Sequence, residues 1–250
     1  MGGDLFIFAL RHADNALVLG NRVSEWCGVG PYLEEDIALT NLALDLIGQA
    51  RLLYSFAGEV ENQGRDEDAL AYLRDQGEFR NVLLVEQPNG DFAQTIVRHL
   101  LFSAYAHPLY EELRQSANAT LAAIAAKAEK EMAYHVRHAG EWVVRLGDGT
   151  EQSRARAQAA LDELWTYTGE LFERDATEER LIAEGVSPDL ATIEARWRET
   201  VEGIVSQATL SLPEGEYMQQ GGRQGRHSEH LGHMLAEMQI LQRTYPGAAW

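Results

Sequence analysis

The sequence predicts an all-α protein, a bundle of long helices, on three observations. Apolar residues recur at the 3.6-residue helical period over most of the chain. The breaks between these stretches are short and rich in Gly, Pro and acidic residues. Strand signals are nearly absent: Asn81-Val82-Leu83-Leu84-Val85 is the one β-rich run, and it is short. With 250 residues, 45% of them hydrophobic, the chain can build one large core, and a single domain over residues 1–250 is expected.

The elements follow in order. The first helix is expected from Leu5 to Trp26, apolar on most sides and therefore central, and Gly28-Val29-Gly30-Pro31 stops it. Glu34, Glu35 and Asp36 suit the positive end of a second helix, which continues through Leu39, Leu42, Ala43, Leu46, Ala50, Leu53 and Ala57. A charged connection, 58–68, precedes a short helix over 68–74. Gln87-Pro88-Asn89-Gly90-Asp91 is a turn, with Asp91 placed to cap a third long helix, 92–115, which contains Pro108 and should kink there or leave a carbonyl unpaired. The fourth runs from Ala119 to Leu146 and closes at Gly147-Asp148-Gly149. Further helices are expected over 151–174, 187–207 (Ser187 as cap, Pro188 as first residue) and 229–243.

Composition excludes several functions. Acidic residues number 39 against 21 basic, for a formal net charge of −18, which repels a nucleic-acid backbone. The acidity suits a cytoplasmic protein or one that docks on a basic partner surface. One cysteine, Cys27, rules out an intrachain disulfide and a cysteine-based zinc site; following Trp26 near a helix end, it is expected to be buried. No apolar run approaches the ~20 residues that span a bilayer, and Met1-Gly2-Gly3-Asp4 lacks the charged start of a signal peptide.

The most informative segment is Glu129-Lys130-Glu131-Met132-Ala133-Tyr134-His135-Val136-Arg137-His138. A di-iron carboxylate bundle takes a carboxylate from each of two helices and a Glu-x-x-His from each of the other two, because residues three apart on a helix project side by side. Here the residue three before His135 is Met132, whose thioether carries no charge. At about 100° per residue, Leu121, Ile124, Ala128, Met132, His135, Ala139, Trp142 and Leu146 share one stripe, with Glu131 at its edge. His135 therefore reads as a core histidine bonded to a neighbour, with Glu131 the expected partner. In the second helix Leu46 stands where the other Glu is needed and Gln49 where the His is needed. Neither is a ligand for a hard metal. Asp45 points away from the face centre, toward a salt bridge or hydrogen bond.

Asp14, Asn21 and Glu25 form a polar stripe on the first helix, read as a buried network or an interface, with Glu25 the one candidate carboxylate ligand. His227, His230 and His233 are three apart, but such positions diverge around a helix, and Ser228 with Glu229 reads more simply as a helix start. Gly221-Gly222-Arg223-Gln224-Gly225-Arg226 reads as a flexible basic loop that lacks the Lys-Ser/Thr ending of a phosphate loop. No Gly-x-Ser-x-Gly occurs, and nothing argues for a lowered Cys27 pKa.

Several blocks carry a resemblance: Ser24-Glu25-Trp26-Cys27-Gly28, Asp45-Leu46-Ile47-Gly48-Gln49-Ala50-Arg51, Leu84-Val85-Glu86-Gln87-Pro88-Asn89-Gly90-Asp91-Phe92-Ala93, Tyr134-His135 with Arg137, Glu229-His230-Leu231-Gly232, Leu235-Ala236-Glu237-Met238-Gln239, and the tail from Pro246-Gly247 to Trp250. Through them the chain resembles, nearly end to end, the C subunits of the bacterial 1,2-phenylacetyl-CoA epoxidases, multicomponent monooxygenases of phenylacetate breakdown. The resemblance implies a ferritin-like helical bundle with additional C-terminal helices. It also implies a structural, non-catalytic subunit with no cofactor of its own. Its implied partners are a catalytic di-iron A subunit that epoxidises phenylacetyl-CoA, a small B subunit and a flavin/iron–sulfur reductase, with a homo-oligomer open to the isolated chain. No catalytic or metal residue is then expected, and Glu25, Leu46, Gln49, Met132 and His135 are degenerate ligand-like positions. The competing expectations are a ferritin-like metal-dependent oxidoreductase using Glu25, Glu131 and His135, and a free-standing helical binding module.

Overall fold

Helices with one apolar side bury it against one another, and four long ones do so in the computed structural model, which describes residues 2–215 and 217–248. The elements are α1 (Gly2–Ser24), α2 (Leu33–Glu61), α3 (Glu67–Tyr72), α4 (Leu83–Glu86), α5 (Phe92–Leu113), α6 (Ala119–Gly147), α7 (Glu151–Trp165), α8 (Ala176–Ala183), α9 (Leu190–Gln207) and α10 (Glu229–Thr244). Among the described residues there is no strand.

Contacts along the helices fix their directions. Gly20 meets α2 at Leu46 and Ile47, and the Asp14 carboxylate meets Tyr54, so α1 and α2 are antiparallel. Phe92 packs edge-on against Trp142 while His99 meets His135, so α5 and α6 are antiparallel. Trp26, past the end of α1, donates its indole N–H to Thr95 at the start of α5, 3.0 Å away. Hence α5 runs antiparallel to α1 and parallel to α2. A parallel pair needs a long crossover, here the segment carrying α3 and α4, and one such crossover is the connectivity of ferritin-like bundles.

Asp91 caps α5, its carboxylate accepting from the Gln94 N–H at 3.0 Å, as the turn predicts. The helix continues through Pro108, which costs the bond its missing N–H would make and does not end the helix. The Asn81–Val85 run is a helical turn, Leu83–Glu86, because Val82, Leu84 and Val85 are buried with no strand beside them to pair with. The stretch 151–174 divides: α7 stops at Trp165, a 3-10 turn spans Gly169–Phe172, and Asp175 caps a separate helix, α8, accepting from the Thr177 and Glu178 N–H groups. Asp189, one residue beyond the expected Ser187-Pro188 start, caps α9, since the Ser187 hydroxyl donates to Glu178 instead. Cys27 is exposed, a correction to the expected burial: α1 ends at Ser24, and Trp26 turns inward onto Phe92. The Trp250 end of the tail lies outside the described residues.

The apolar excess on α1 and α5 is used inside the chain. Every residue from Phe8 to Gly20 is buried, α4 and α8 pack on α1, and α7 and α9 pack on α5. The surplus lies on α2, whose outward Leu33, Ile37, Leu44 and Ile47 are exposed.

Buried carboxylates tie the irregular segments to this core. Glu170, fully buried, accepts from three backbone N–H groups: Leu83 at 2.8 Å, Gly221 at 3.1 Å and Arg223 at 3.0 Å. The segment 221–226, expected to be a flexible basic loop, is therefore fastened, with Arg223 buried and its guanidinium donating to the Glu173 and Leu171 carbonyls. Gly222 is required there: a Cβ would fall 2.2 Å from the Asn81 carbonyl oxygen. Asp14 takes the Arg74 guanidinium, the Tyr54 hydroxyl and the Arg80 N–H at 2.7 Å, which turns the first member of the polar stripe into a buried network joining α1, α2 and the crossover.

Glu170→Ala leaves three buried N–H groups without an acceptor. It is expected to cost more than about 3 kcal/mol in a denaturant melt, against about 0.5 kcal/mol or less for the exposed Glu202→Ala. Equal midpoints for the two variants would contradict the anchoring role of Glu170.

Candidate functional site: the centre of the four-helix bundle

The midpoint of a four-helix bundle is where facing helices can converge ligands. In this chain α2 contributes Asp45, Leu46 and Gln49, α5 contributes His99, and α6 contributes Glu131, Met132 and His135. Leu46, Met132 and His135 are wholly buried, and Gln49 nearly so. The 3.6-residue period places Leu46 and Met132 on the inward stripes of their helices, as the sequence pattern predicts.

The expected His135–Glu131 pairing is corrected. The His135 imidazole lies between two other partners, His99 Nε2 at 3.2 Å from its Nδ1 and Asp45 Oδ2 at 3.5 Å from its Nε2. Glu131, one residue before Met132, turns to the helix edge. There it accepts from the Gln49 amide at 2.8 Å and pairs with Lys127 at 2.9 Å. The reason is spacing: Glu131 and His135 are four apart on one helix, while Asp45 and His99 approach from facing helices. Two links thus join α2 to α6, Gln49–Glu131 and Asp45–His135, and a third pairs Glu35 with His138 at 2.9 Å.

His99 is the residue that sequence reading missed. It follows Arg98 on a helix apolar all round, and a polar side chain among Ile96, Leu100 and Ser103 on so buried a helix was the available signal. Burial pushes the His99 pKa well below its ordinary value, with neighbouring His135 adding to the effect. Burial also lowers that of His135, against the raising influence of Asp45. Both are held as neutral imidazoles, one donating to the other, and His99 Nδ1 has no partner among the described residues.

These residues do not fit a pair of hard metal ions. The two inward positions that need carboxylates hold Leu46 and Met132, and the amide of Gln49 is spent on Glu131. Among the described residues no group of three or more His, Cys, Asp or Glu side chains is arranged to hold a metal ion. Glu25 is not brought to this centre: half-exposed at the end of α1, it pairs with Arg22 at 2.9 Å and accepts from Asn89 at 2.8 Å. Asn21, between Asp14 and Glu25 on the stripe, donates to the Leu17 carbonyl and the Met238 sulfur. Glu25, Glu131 and His135 are not brought together, since each turns to a different partner.

The three C-terminal histidines also separate. His227 lies before the helix, its side chain buried, with Nδ1 2.8 Å from Glu86 and Nε2 3.0 Å from the Phe79 carbonyl oxygen. Glu86 also accepts from the Ser228 N–H at 2.6 Å and Asn81 at 3.0 Å, so the start of α10 is held by a carboxylate of the crossover. Burial lowers the His227 pKa, and the Glu86 contact outweighs it, so the net shift is upward. His230 offers its carbonyl to Arg22, and His233 is exposed.

A family model described as "Phenylacetic acid catabolic protein" matches residues 3–250. The chain belongs to that family. It is 48% identical over 246 residues, 98% of this chain and 99% of the other, to the C subunit of the 1,2-phenylacetyl-CoA epoxidase of Escherichia coli (strain K12). Membership in the phenylacetic acid catabolic family agrees with the all-α, ferritin-like architecture built above from helix directions and the single crossover. No helix among the described residues is long and apolar enough to cross a membrane.

Two outcomes are expected from the buried imidazoles. His135→Ala removes a partner from both His99 and Asp45 and leaves a cavity, at a cost of roughly 1–3 kcal/mol in a denaturant melt; unchanged stability would contradict the network. His12, His99 and His135 all have folded-state values below the ordinary one, that of His12 pushed down to about 3 by burial and the nearby Arg223 and Arg11. The unfolded chain therefore binds more protons as pH falls through about 6.5, and stability falls with it. His227 works in the opposite sense: its contribution is full below about 6.5 and lost as pH rises through its raised folded value. His99→Gln should make the acid decline shallower, and an unchanged slope would show that His99 is not a buried neutral group.

Proposed function

We propose that this chain is the structural, non-catalytic subunit of a phenylacetyl-CoA 1,2-epoxidase, supporting a di-iron catalytic subunit in the aerobic, cytoplasmic degradation of phenylacetate. One observation carries the reading. The bundle centre, where a catalytic relative would gather four carboxylates and two histidines, is filled by Leu46 and Met132 and bridged by the His99–His135–Asp45 contacts. The 48% identity to the C subunit of such an enzyme supports the assignment to the epoxidase system.

The function is then exerted through binding. A scaffold that binds the folded catalytic chain and not its unfolded form stabilises it by mass action. The other components of the system are a small B subunit and a flavin/iron–sulfur reductase that delivers electrons to the catalytic subunit.

Reconstitution tests the reading. With phenylacetyl-CoA, O2 and reductase, this chain alone should give no epoxide. Its omission from a mixture containing the catalytic subunit should abolish or sharply reduce turnover. Full turnover without this chain would sink the scaffold role, and turnover by this chain with reductase alone would restore the enzyme reading.

A further inference from the structure

Helix α10 is laid on the bundle from outside, and amides and guanidiniums hold most of its length. Gln239 donates to the Ala71 and Arg74 carbonyls at 3.1 Å each, and the Met238 sulfur lies 3.3 Å from the Asn21 amide. Arg22 donates to the His230 carbonyl at 3.1 Å, and the exposed Arg243 pairs with Asp75 at 2.9 Å. Amides and guanidiniums do not titrate near neutrality, whereas an imidazole does. The contact just before the helix is of the second kind. The His227 side chain is wholly buried between two oxygen acceptors, with Nδ1 2.8 Å from Glu86 Oε2 and Nε2 3.0 Å from the Phe79 carbonyl oxygen. A neutral imidazole has one N–H and one lone pair. It can serve one of these acceptors, and must then turn its lone pair on the other. Both contacts are satisfied only with a proton on Nε2 and a second proton between Nδ1 and Oε2, whichever of that pair holds it.

The chain around this pair is built to pivot. On one side, residues 221–223 stay fastened, because Glu170 accepts from the Gly221 and Arg223 N–H groups. Gly225 follows in the left-handed region at φ +80°, and His227 and Ser228 then close onto Glu86, which takes the Ser228 N–H at 2.6 Å. If the imidazole leaves, the Phe79 carbonyl keeps the Arg80 guanidinium at 2.7 Å, and Glu86 keeps Asn81 at 3.0 Å. The charged groups facing His227 are Glu86 of α4, Asp14 of α1 and Arg80 beside Phe79, with Asp14 itself paired to Arg74. Arg226 and Glu229 on its own segment are exposed to screening solvent.

We propose that the His227–Glu86 contact is a proton-held latch on α10: its proton leaves as pH rises, and the helix is then free to open locally about Gly225 while the four-helix bundle stays folded. The direction of the His227 shift agrees. Burial alone lowers its pKa, and the Glu86 contact carries it above the ordinary value. The hold is therefore full below about pH 6.5 and is lost as pH rises through the raised value of the closed form. Opening uncovers Leu231, Met234 and Leu235, all buried, so the open form is a minor state whose share the latch sets.

Hydrogen exchange of the full chain from about pH 6 to about pH 9, corrected for the intrinsic exchange rate, reads this opening. The opening constants of α10 amides should be nearly level around pH 6 and rise at least roughly fivefold by about pH 9, since release of one proton gives up to about tenfold per pH unit. Amides of α5 should not follow. The rise should vanish in His227→Gln, which has nothing to titrate there, and persist in the double variant His230→Gln/His233→Gln. A level wild-type profile, a rise shared equally by α5, or a rise lost in the double variant would each overturn the latch. So would a rise retained by His227→Gln. Circular dichroism checks the fold of each variant, and the wild-type and double-variant profiles decide the matter if His227→Gln is unfolded.

Discussion

A polar side chain buried between helices must find its partner across the bundle, because water cannot supply one there. At the middle of this bundle the constraint falls on His135, and the rest of the centre follows from how it is met. Its two ring nitrogens reach His99 on α5 and Asp45 on α2, so one side chain of α6 fixes the spacing of three helices. With the imidazole occupied, the remaining inward positions have no polar demand and are filled by Leu46 and Met132, as in any apolar core. Gln49 and Glu131 satisfy each other at the edge. Most of its polar groups serve one another, although His99 Nδ1 has no partner among the described residues, and burial favours the uncharged form of both imidazoles.

The same logic governs the periphery. Asp14, Glu86 and Glu170 are fully buried carboxylates, and each binds a segment that lacks regular structure of its own. Glu170 holds the loop before α10, Glu86 holds the start of α10 through His227 and Ser228, and Asp14 holds the crossover through Arg74 and Arg80. Buried charges used this way are costly to unpair and confer specificity of position more than net stability. On the proposed scaffold role, positional specificity is the useful property. Two of the helices that carry this centre, α2 and α6, also expose the apolar stripe and Tyr134.

Much of this was legible in the sequence. The four long helices announce themselves by period and by caps such as Asp91, and Leu46, Gln49 and Met132 could be placed inward because helical geometry leaves no alternative. What sequence reading missed depends on contacts between elements. Nothing local says that His135 will choose His99 over Glu131, since the choice rests on the separation of α5 and α6. Asp175 as a cap, and the fastening of 221–226 by Glu170, were hidden for the same reason: a carboxylate sequestered by backbone N–H groups far along the chain resembles any surface acid. The exposed Cys27 turned on whether α1 ended before or after Trp26. Helices α1 and α5 are buried over most of their length. They are covered by α4, α7, α8 and α9, and the unpartnered stripe is on α2, where apolar residues on two opposite sides are easily read as one broad core face.

The central claim is that the bundle centre is a largely apolar core and not a metal site. Its most direct test is the denaturant midpoint of the purified chain with and without Fe(II) under anaerobic conditions, together with its iron content. A ligand that binds only the folded state must raise stability, by about 2.7 kcal/mol at a hundredfold excess over its Kd. The account predicts no shift in midpoint and no stoichiometric iron. A clear upward shift, with close to two irons per chain and an oxo-bridged absorption band on exposure to air, would contradict it.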